Sequence, residues 1–162
     1  HMLIMPLIVF WLANLAAPSD DIRNVLTPSL YAMMLLAFVS GFCFEIARKT
    51  RGPEEERDTV DSYSKIFGTQ GSAYVVMGLV SGMLISQILL LTLLGTDALW
   101  AYAIALVATY VLAIKQVFSF VRAPSLKGRE KNEAAIAINM LVGYLVIIIA
   151  VLVNNGIAWS IF

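Results

Sequence analysis

The sequence predicts an all-α, polytopic transmembrane helix bundle, and two observations support that prediction. The chain of 162 residues is 60% hydrophobic, with a mean hydropathy of +0.83. Its apolar runs are continuous and about 20 residues long, the length at which a helix crosses the ~30 Å hydrocarbon layer. Lipid offers no partners to unpaired backbone groups, and the runs do not alternate as barrel strands do, so we expect helices.

Five hydrophobic helices are expected, in a single transmembrane domain that covers residues 1–162. The first helix is short and contains Pro6, whereas the other four follow longer apolar runs. Because the number of spans is odd and the first span is short, we expect the chain to be part of a larger protein. The expected helices lie at roughly 2–17, 28–48, 70–95, 98–121 and 133–153.

Basic residues are concentrated in two polar connections, 48–69 and 122–133. Nine of the eleven Lys and Arg side chains lie there. Two expected spans separate the connections, so both should lie on one side of the membrane, and the positive-inside rule makes that side the cytoplasm. We therefore expect an integral protein of an inner or plasma membrane, with its C-terminus outside.

The connection 48–69 is the most highly charged stretch of the chain. Between Arg48 and Lys65, ten of 18 residues are charged. Proline disfavours helix in the residue before it and suits the first helical turn, so a short helix should begin at Pro53. The glutamates at 54–56 would then lie near a helix N-terminus, where the macrodipole favours carboxylates.

Two interpretations of these charges stay open at this point. In the first, the loop is solvated and its charges pair with one another. In the second, the loop binds a polyanionic headgroup whose tail lies in the bilayer. Carboxylates at a membrane mouth can hold Mg²⁺, and Arg or Lys side chains can neutralise the oxygens of a diphosphate.

The segment EIARKTRGPEEERDTVDSYSKIFG, residues 45–68, resembles the second motif region of the UbiA superfamily of intramembrane prenyltransferases. In that family the second loop reads Asp-x-x-x-Asp and is followed by a hydrophobic segment that ends in Gly. Here Gly68 matches that glycine, and Arg51 and Glu55 stand at the aspartate positions. The opening HMLIMPLI also resembles the start of the family's fifth helix, so the chain would form the second half of a nine-helix bundle.

The resemblance implies that an isoprenoid group moves from a prenyl diphosphate to an acceptor within the membrane. Mg²⁺ and basic side chains would stabilise the departing diphosphate. Arg51 and Glu55 would occupy the catalytic positions, and Glu54, Glu55 and Asp58 would supply oxygens to the metal. The side chains implied in substrate binding are Arg48, Lys49, Arg57, Tyr63 and Lys65. Tyr63 has a second interpretation as an interfacial aromatic.

The chain departs from the family pattern in two ways. It lacks the first Asp-rich loop, and Arg51 replaces an aspartate although an arginine cannot ligate Mg²⁺. This chain alone therefore holds half of the expected site. Both a one-metal site and a charge-only site that uses Arg48, Lys49, Arg51 and Arg57 stay open. The expected partners are membrane lipids, a prenyl diphosphate, and an N-terminal half or second copy that completes the bundle.

The competing interpretation is a non-catalytic membrane protein. It includes a permease half, a binder of lipid headgroups and a structural subunit that pairs with another chain. The sequence has no Ser/His/Asp arrangement, no Cys/His metal spacing and no Gly-rich phosphate loop. It also has no nucleic-acid-binding pattern, so we expect no nucleic acid among the partners.

Overall fold

The computed structural model describes residues 3–16, 25–56 and 61–155. Its regular elements in these ranges are five α-helices and one 3₁₀ helix, so the all-α bundle expected from the sequence is confirmed. The elements are α1 (Ile4–Ala16), α2 (Pro28–Arg48), the 3₁₀ helix (Pro53–Glu55), α3 (Tyr63–Leu93), α4 (Leu99–Arg122) and α5 (Leu126–Asn155).

Four of these helices, α2 to α5, are long and apolar enough to cross a membrane by length and composition. The helix α1 has 13 residues. At 1.5 Å per residue it extends about 20 Å, which is shorter than the hydrocarbon layer. The arrangement is consistent with an integral membrane protein.

Local signals set the bounds of α2 where the sequence predicts them. The Oγ1 of Thr27 accepts a hydrogen bond from the amide of Leu30 at 3.2 Å, and Pro28 stands in the first turn, where an amide donor is not needed. The helix ends at Arg48, and the short helix begins at Pro53, as expected. The charged connection therefore starts at its predicted place.

The helix α3 begins at Tyr63 rather than near residue 70, so it takes in part of the expected polar connection. The Oγ of Ser62 caps it by accepting the amide of Lys65 at 3.3 Å. Gly68 interrupts the helix with φ +70° and ψ 164°, a conformation that essentially only glycine adopts without strain. A short amphiphilic helical segment therefore precedes the apolar span.

The helix α5 also begins earlier than expected, at Leu126 rather than near residue 133. The Oγ of Ser125 accepts the amide of Gly128 at 3.1 Å and so satisfies one of the N-terminal amides. With 30 residues, α5 is about 45 Å long and exceeds the ~30 Å hydrocarbon layer. The second polar connection, 122–133, is therefore mostly the charged first turns of this helix.

The four long helices enclose two buried apolar clusters. The cluster nearer to the charged connections includes Cys43, Val76, Val117 and Ile136, one from each helix. The second cluster includes Leu36, Leu91, Leu106 and Ile147, again one from each helix. By contrast, α1 packs on α2 and has no buried residue along its described length. The long helices thus form the scaffold that supports both polar connections.

Buried amide side chains interrupt the apolar interior. Gln87 lies so close to Gly143 that a Cβ added to this glycine would overlap the Nε2 of Gln87. The Nδ2 of Asn139 donates to the Oγ1 of Thr109 at 3.0 Å and links α5 to α4. The Oε1 of Gln87 and the Oδ1 of Asn139 have no hydrogen-bond partner in the part of the chain that the structure describes. We call Gln87, Asn139, Thr109 and Gly143 the interior amide group.

Candidate functional site

The two polar connections meet at one end of the bundle, which we call the charged end (residues 48–56, 61–65 and 122–133). The Nε of Arg129 in α5 donates to the Oε1 of Glu55 at 3.0 Å across 74 residues of sequence. A Cβ added to Gly52 would lie 3.2 Å from the Cβ of Pro124. Contact between the connections confirms the expectation that they lie on the same side of the bundle.

Hydroxyl groups on both sides of the Gly68 break hold the backbone of Arg51 in place. The amide of Arg51 donates to the Oγ of Ser64 at 2.5 Å, and its carbonyl accepts the hydroxyl of Thr69 at 2.9 Å. The break at Gly68 lies between these two side chains in sequence. The start of α3 therefore fixes the residue that stands at the first motif position.

The guanidinium of Arg51 faces the 3₁₀ helix. Its Nη1 donates to the backbone carbonyl of Glu55 at 3.5 Å, which is a long hydrogen bond. Its Nε is buried and has no partner among residues 3–16, 25–56 and 61–155. A guanidinium has five N–H donors, so Arg51 retains donor capacity beyond these contacts.

Both carboxylate oxygens of Glu55 have partners. In addition to the Arg129 contact at Oε1, its Oε2 accepts the amide of Gly52 at 3.4 Å. The side chains of Glu55 and Arg129 are 15% and 20% exposed, so this pair is more shielded from water than a surface ion pair. Arg129 also lies 3.8 Å from the carboxylate of Glu133, one turn further along α5.

Arg48 and Lys49 share one carboxylate partner, Glu45. The Nη2 of Arg48 lies 2.9 Å from Oε2 of Glu45, and the Nζ of Lys49 lies 2.7 Å from Oε1. The hydrogen bond and the charge of Glu45 raise the pKa of Lys49 above its ordinary value. Both basic side chains stay substantially exposed at the end of α2, so their outer surfaces face the solvent or the headgroup layer.

Tyr63 and Lys65 line a shallow cleft of about 300 Å³ together with Lys49, Asp61, Ser62 and Ile66. The amide of Tyr63 donates to the carbonyl of Lys49 at 3.2 Å, which joins the start of α3 to the end of α2. The side chain of Tyr63 also packs on the apolar cluster nearer to the charged end. The structure thus brings three of the expected substrate-binding residues to one cleft.

The expected metal ligands are only partly within the described residues. Glu54 is exposed, Glu55 is paired with Arg129, and both oxygens of Glu56 accept the hydroxyl of Ser62 at 2.7 and 2.8 Å. Among the described residues, no three His, Cys, Asp or Glu side chains are grouped closely enough to hold a metal ion. Arg57 and Asp58, like His1 and Met2, lie outside the described residues. Of the three expected ligands, Glu54 and Glu55 therefore lie in the described part of the chain and Asp58 does not.

Sequence reasoning missed the residues that organise this end of the bundle. Ser64 and Thr69 hold Arg51 through backbone contacts, and Arg129 binds Glu55 from the other connection. In the sequence, Arg129 is one of four basic residues in the connection 122–133. No local pattern indicated that it would contact the motif segment.

Comparison with protein-family models, curated proteins and solved structures finds no match to this chain.

Proposed function

We propose that this chain is a portion of a UbiA-like polyprenyl transferase whose charged end binds the diphosphate of an isoprenoid donor on the cytoplasmic side. The observation that carries the proposal is that Arg51 and Arg129 both contact Glu55 at the end of an apolar helix bundle, Arg51 at its backbone carbonyl and Arg129 at its carboxylate. Guanidinium groups bind phosphate oxygens, and the apolar helices beside them can contact a hydrocarbon chain, so this end of the bundle suits a ligand with an anionic head and a hydrocarbon tail.

The proposed chemistry is electrophilic prenyl transfer. The carbon–oxygen bond to the diphosphate breaks, its electron pair stays on the diphosphate oxygen, and the acceptor attacks the allylic carbon and loses a proton. Preorganised cations lower the energy of the charge that develops on the leaving group. In this chain Arg51 and Arg129 would bind the diphosphate oxygens, while Arg48, Lys49, Tyr63 and Lys65 would line the approach.

Mg²⁺ would add charge neutralisation to the same leaving group if a complete metal site forms. Because Glu55 and Glu56 are already engaged, such a site depends on Asp58 or on carboxylates from a completing half. The proposal therefore assigns diphosphate binding, and no further step, to the residues described here.

The proposal can be tested by ligand binding to the full chain in phosphatidylcholine nanodiscs. We expect a non-hydrolysable geranylgeranyl S-thiolodiphosphate to bind, and geranylgeraniol to bind much more weakly. Arg51→Gln should weaken binding of the diphosphate by about tenfold, since a hydrogen bond to a charged group contributes about 1.5 kcal/mol. Lys127→Gln removes an exposed charge at the start of α5 and is the matched control. Equal binding of the alcohol and the diphosphate would contradict the proposal.

A second candidate function is supported by the exposed apolar side chains beside the cleft. Ile66 and Phe67 are 70% and 54% exposed and directly follow Lys65, before the break at Gly68. A basic residue next to exposed apolar ones is typical of a segment that lies in the headgroup layer. In this alternative the charged end binds anionic lipid headgroups without catalysis, and phosphatidic acid in the nanodisc would abolish the preference for the diphosphate.

A further inference from the structure

We propose that Glu55 occupies the anion site of the charged end, and that the diphosphate of the ligand displaces it from Arg129. This inference rests on the proposed function and adds a role for Glu55 to it. Glu55 becomes an internal competitor for Arg129 instead of a metal ligand.

The surroundings of the Glu55 carboxylate are those of an anion site. A guanidinium N–H lies 3.0 Å from one oxygen, and a backbone amide, that of Gly52, lies 3.4 Å from the other. The guanidinium of Arg51, which precedes this 3₁₀ helix, contacts the carbonyl of Glu55 at 3.5 Å. A phosphate oxygen accepts hydrogen bonds from the same kinds of donor, so it can replace the carboxylate.

Arg51 provides the second cation of this site in a fixed position. Its backbone is held by Ser64 and Thr69, and its buried Nε lacks an acceptor among the described residues. A buried N–H without a partner is unfavourable, so a ligand oxygen that reaches it would gain affinity. The carboxylate of Glu55 does not fill this need, because the contact from Arg51 goes to the backbone carbonyl instead.

Charge favours the exchange. A diphosphate carries at least two negative charges and several acceptor oxygens, whereas Glu55 carries one charge. The pair is also easy to open, because Glu55 lies at the end of a three-residue 3₁₀ helix and Arg129 has a further carboxylate, Glu133, at 3.8 Å. Only a short segment has to move for Arg129 to change partner.

The exchange predicts an effect of opposite sign from metal ligation. If Glu55 competes for Arg129, Glu55→Gln removes the charge that holds Arg129 and weakens this contact, so the diphosphate binds more tightly. If Glu55 ligates Mg²⁺, the same variant loses metal-dependent binding. Arg129→Gln should weaken binding under the exchange, while Arg129→Lys, which keeps the charge but loses the fork, should have a smaller effect.

The test measures binding of inorganic pyrophosphate to the full chain in phosphatidylcholine nanodiscs by calorimetry, with and without Mg²⁺. Relative to the unmodified chain, we expect Glu55→Gln to bind about tenfold more tightly and Arg129→Gln about tenfold more weakly, as for one charge-assisted hydrogen bond. The controls are Glu130→Gln, an exposed carboxylate next to Arg129 in the sequence, and Lys131→Gln, an exposed charge two residues after Arg129 and therefore on a different face of α5. Thermal unfolding of each variant checks that the bundle is intact.

The outcomes separate this inference from the proposed function. Weaker binding in Glu55→Gln, or unchanged binding in Arg129→Gln, overturns the exchange while the unmodified chain still binds pyrophosphate. Failure of the unmodified chain to bind either pyrophosphate or the prenyl thiolodiphosphate overturns the proposed function instead. Soluble dihexanoyl phosphatidic acid distinguishes the source of the phosphate, and we expect it to bind more weakly than pyrophosphate. The reverse order would assign the site to a lipid headgroup and overturn the prenyl diphosphate as its ligand.

Discussion

The charged end and the interior amide group use polar side chains in different ways. At the charged end, Glu55 and Arg129 meet directly and retain some exposure to solvent. In the interior, Gln87 is fully enclosed, and its position depends on the missing side chain of Gly143. The interior therefore depends on the fit between neighbouring side chains, whereas the charged end depends on an ion pair that, in our proposal, a diphosphate displaces.

The strongest test of this contrast is Gly143→Ala. The added methyl group would overlap the end of the Gln87 side chain, which has little room to move because it is 1% exposed, and overpacking in an enclosed site costs about 1–3 kcal/mol. We expect a loss of that size in the free energy of unfolding of the detergent-solubilised chain. Gly78→Ala is the matched control, because it lies in a helix and a Cβ there meets nothing within 4 Å. It should be neutral or slightly stabilising.

A second substitution shows whether the overlap is the cause. Gln87→Ala combined with Gly143→Ala removes the group that the new methyl would meet. We expect the double variant to be more stable than Gly143→Ala alone. If Gln87→Ala does not relieve the loss, then the shape of this contact does not fix the interior.

The next largest effect is expected at the link between the two regions, Gly68. Its φ of +70° and ψ of 164° are unfavourable for any residue with a Cβ, at about 2 kcal/mol. Gly68→Ala should therefore lower the unfolding temperature, and it should also weaken pyrophosphate binding because Ser64 and Thr69 no longer meet Arg51 together. Unchanged stability would show that α3 can continue as a regular helix through this position.

Loss of a single hydroxyl contact to Arg51 should have a smaller effect. Thr69→Val keeps the shape of the side chain and removes the donor to the carbonyl of Arg51, which should cost about 1 kcal/mol. Thr92→Val is the control, because the Thr92 hydroxyl donates within its own helix, to the carbonyl of Ile88. Equal losses in both variants, measured by unfolding in detergent, would mean that Thr69 does not hold the connection.

The sequence predicted the scaffold better than the charged end, for a physical reason. Apolar length identifies spans directly, and Thr27 and Pro28 mark the start of α2 through contacts within one turn. The starts of α3 and α5 were missed, since their first turns are polar and hydropathy does not distinguish a polar helix from a loop.

The contacts of the candidate site join residues that are far apart in the sequence, so local patterns do not predict them. The sequence singled out Arg51 and Glu55, but the pair between Glu55 and Arg129 joins residues 74 positions apart. Such a contact depends on how α5 packs beside the 3₁₀ helix, and no spacing rule encodes it. The role of Gly68 was visible only as a motif match, whereas its positive φ gives the physical reason for a glycine there.

The smallest effect is expected from the exposed ion pair of Lys49 with Glu45. Glu45 raises the pKa of Lys49 above its ordinary value of 10.5, so the pair contributes its full stability below that value and loses it as the pH rises through the higher folded pKa. Arg48 stays charged and keeps its contact with Glu45, which reduces the stability that is lost when the Lys49 charge is removed. The stability difference between the unmodified chain and Lys49→Gln should therefore be small at about pH 9 and smaller still at about pH 11.5. Lys127→Gln, measured in the same way, corrects for the general effect of losing a lysine. A difference that stays constant or grows with pH would show that Lys49 contributes through packing of its stem rather than through its charge.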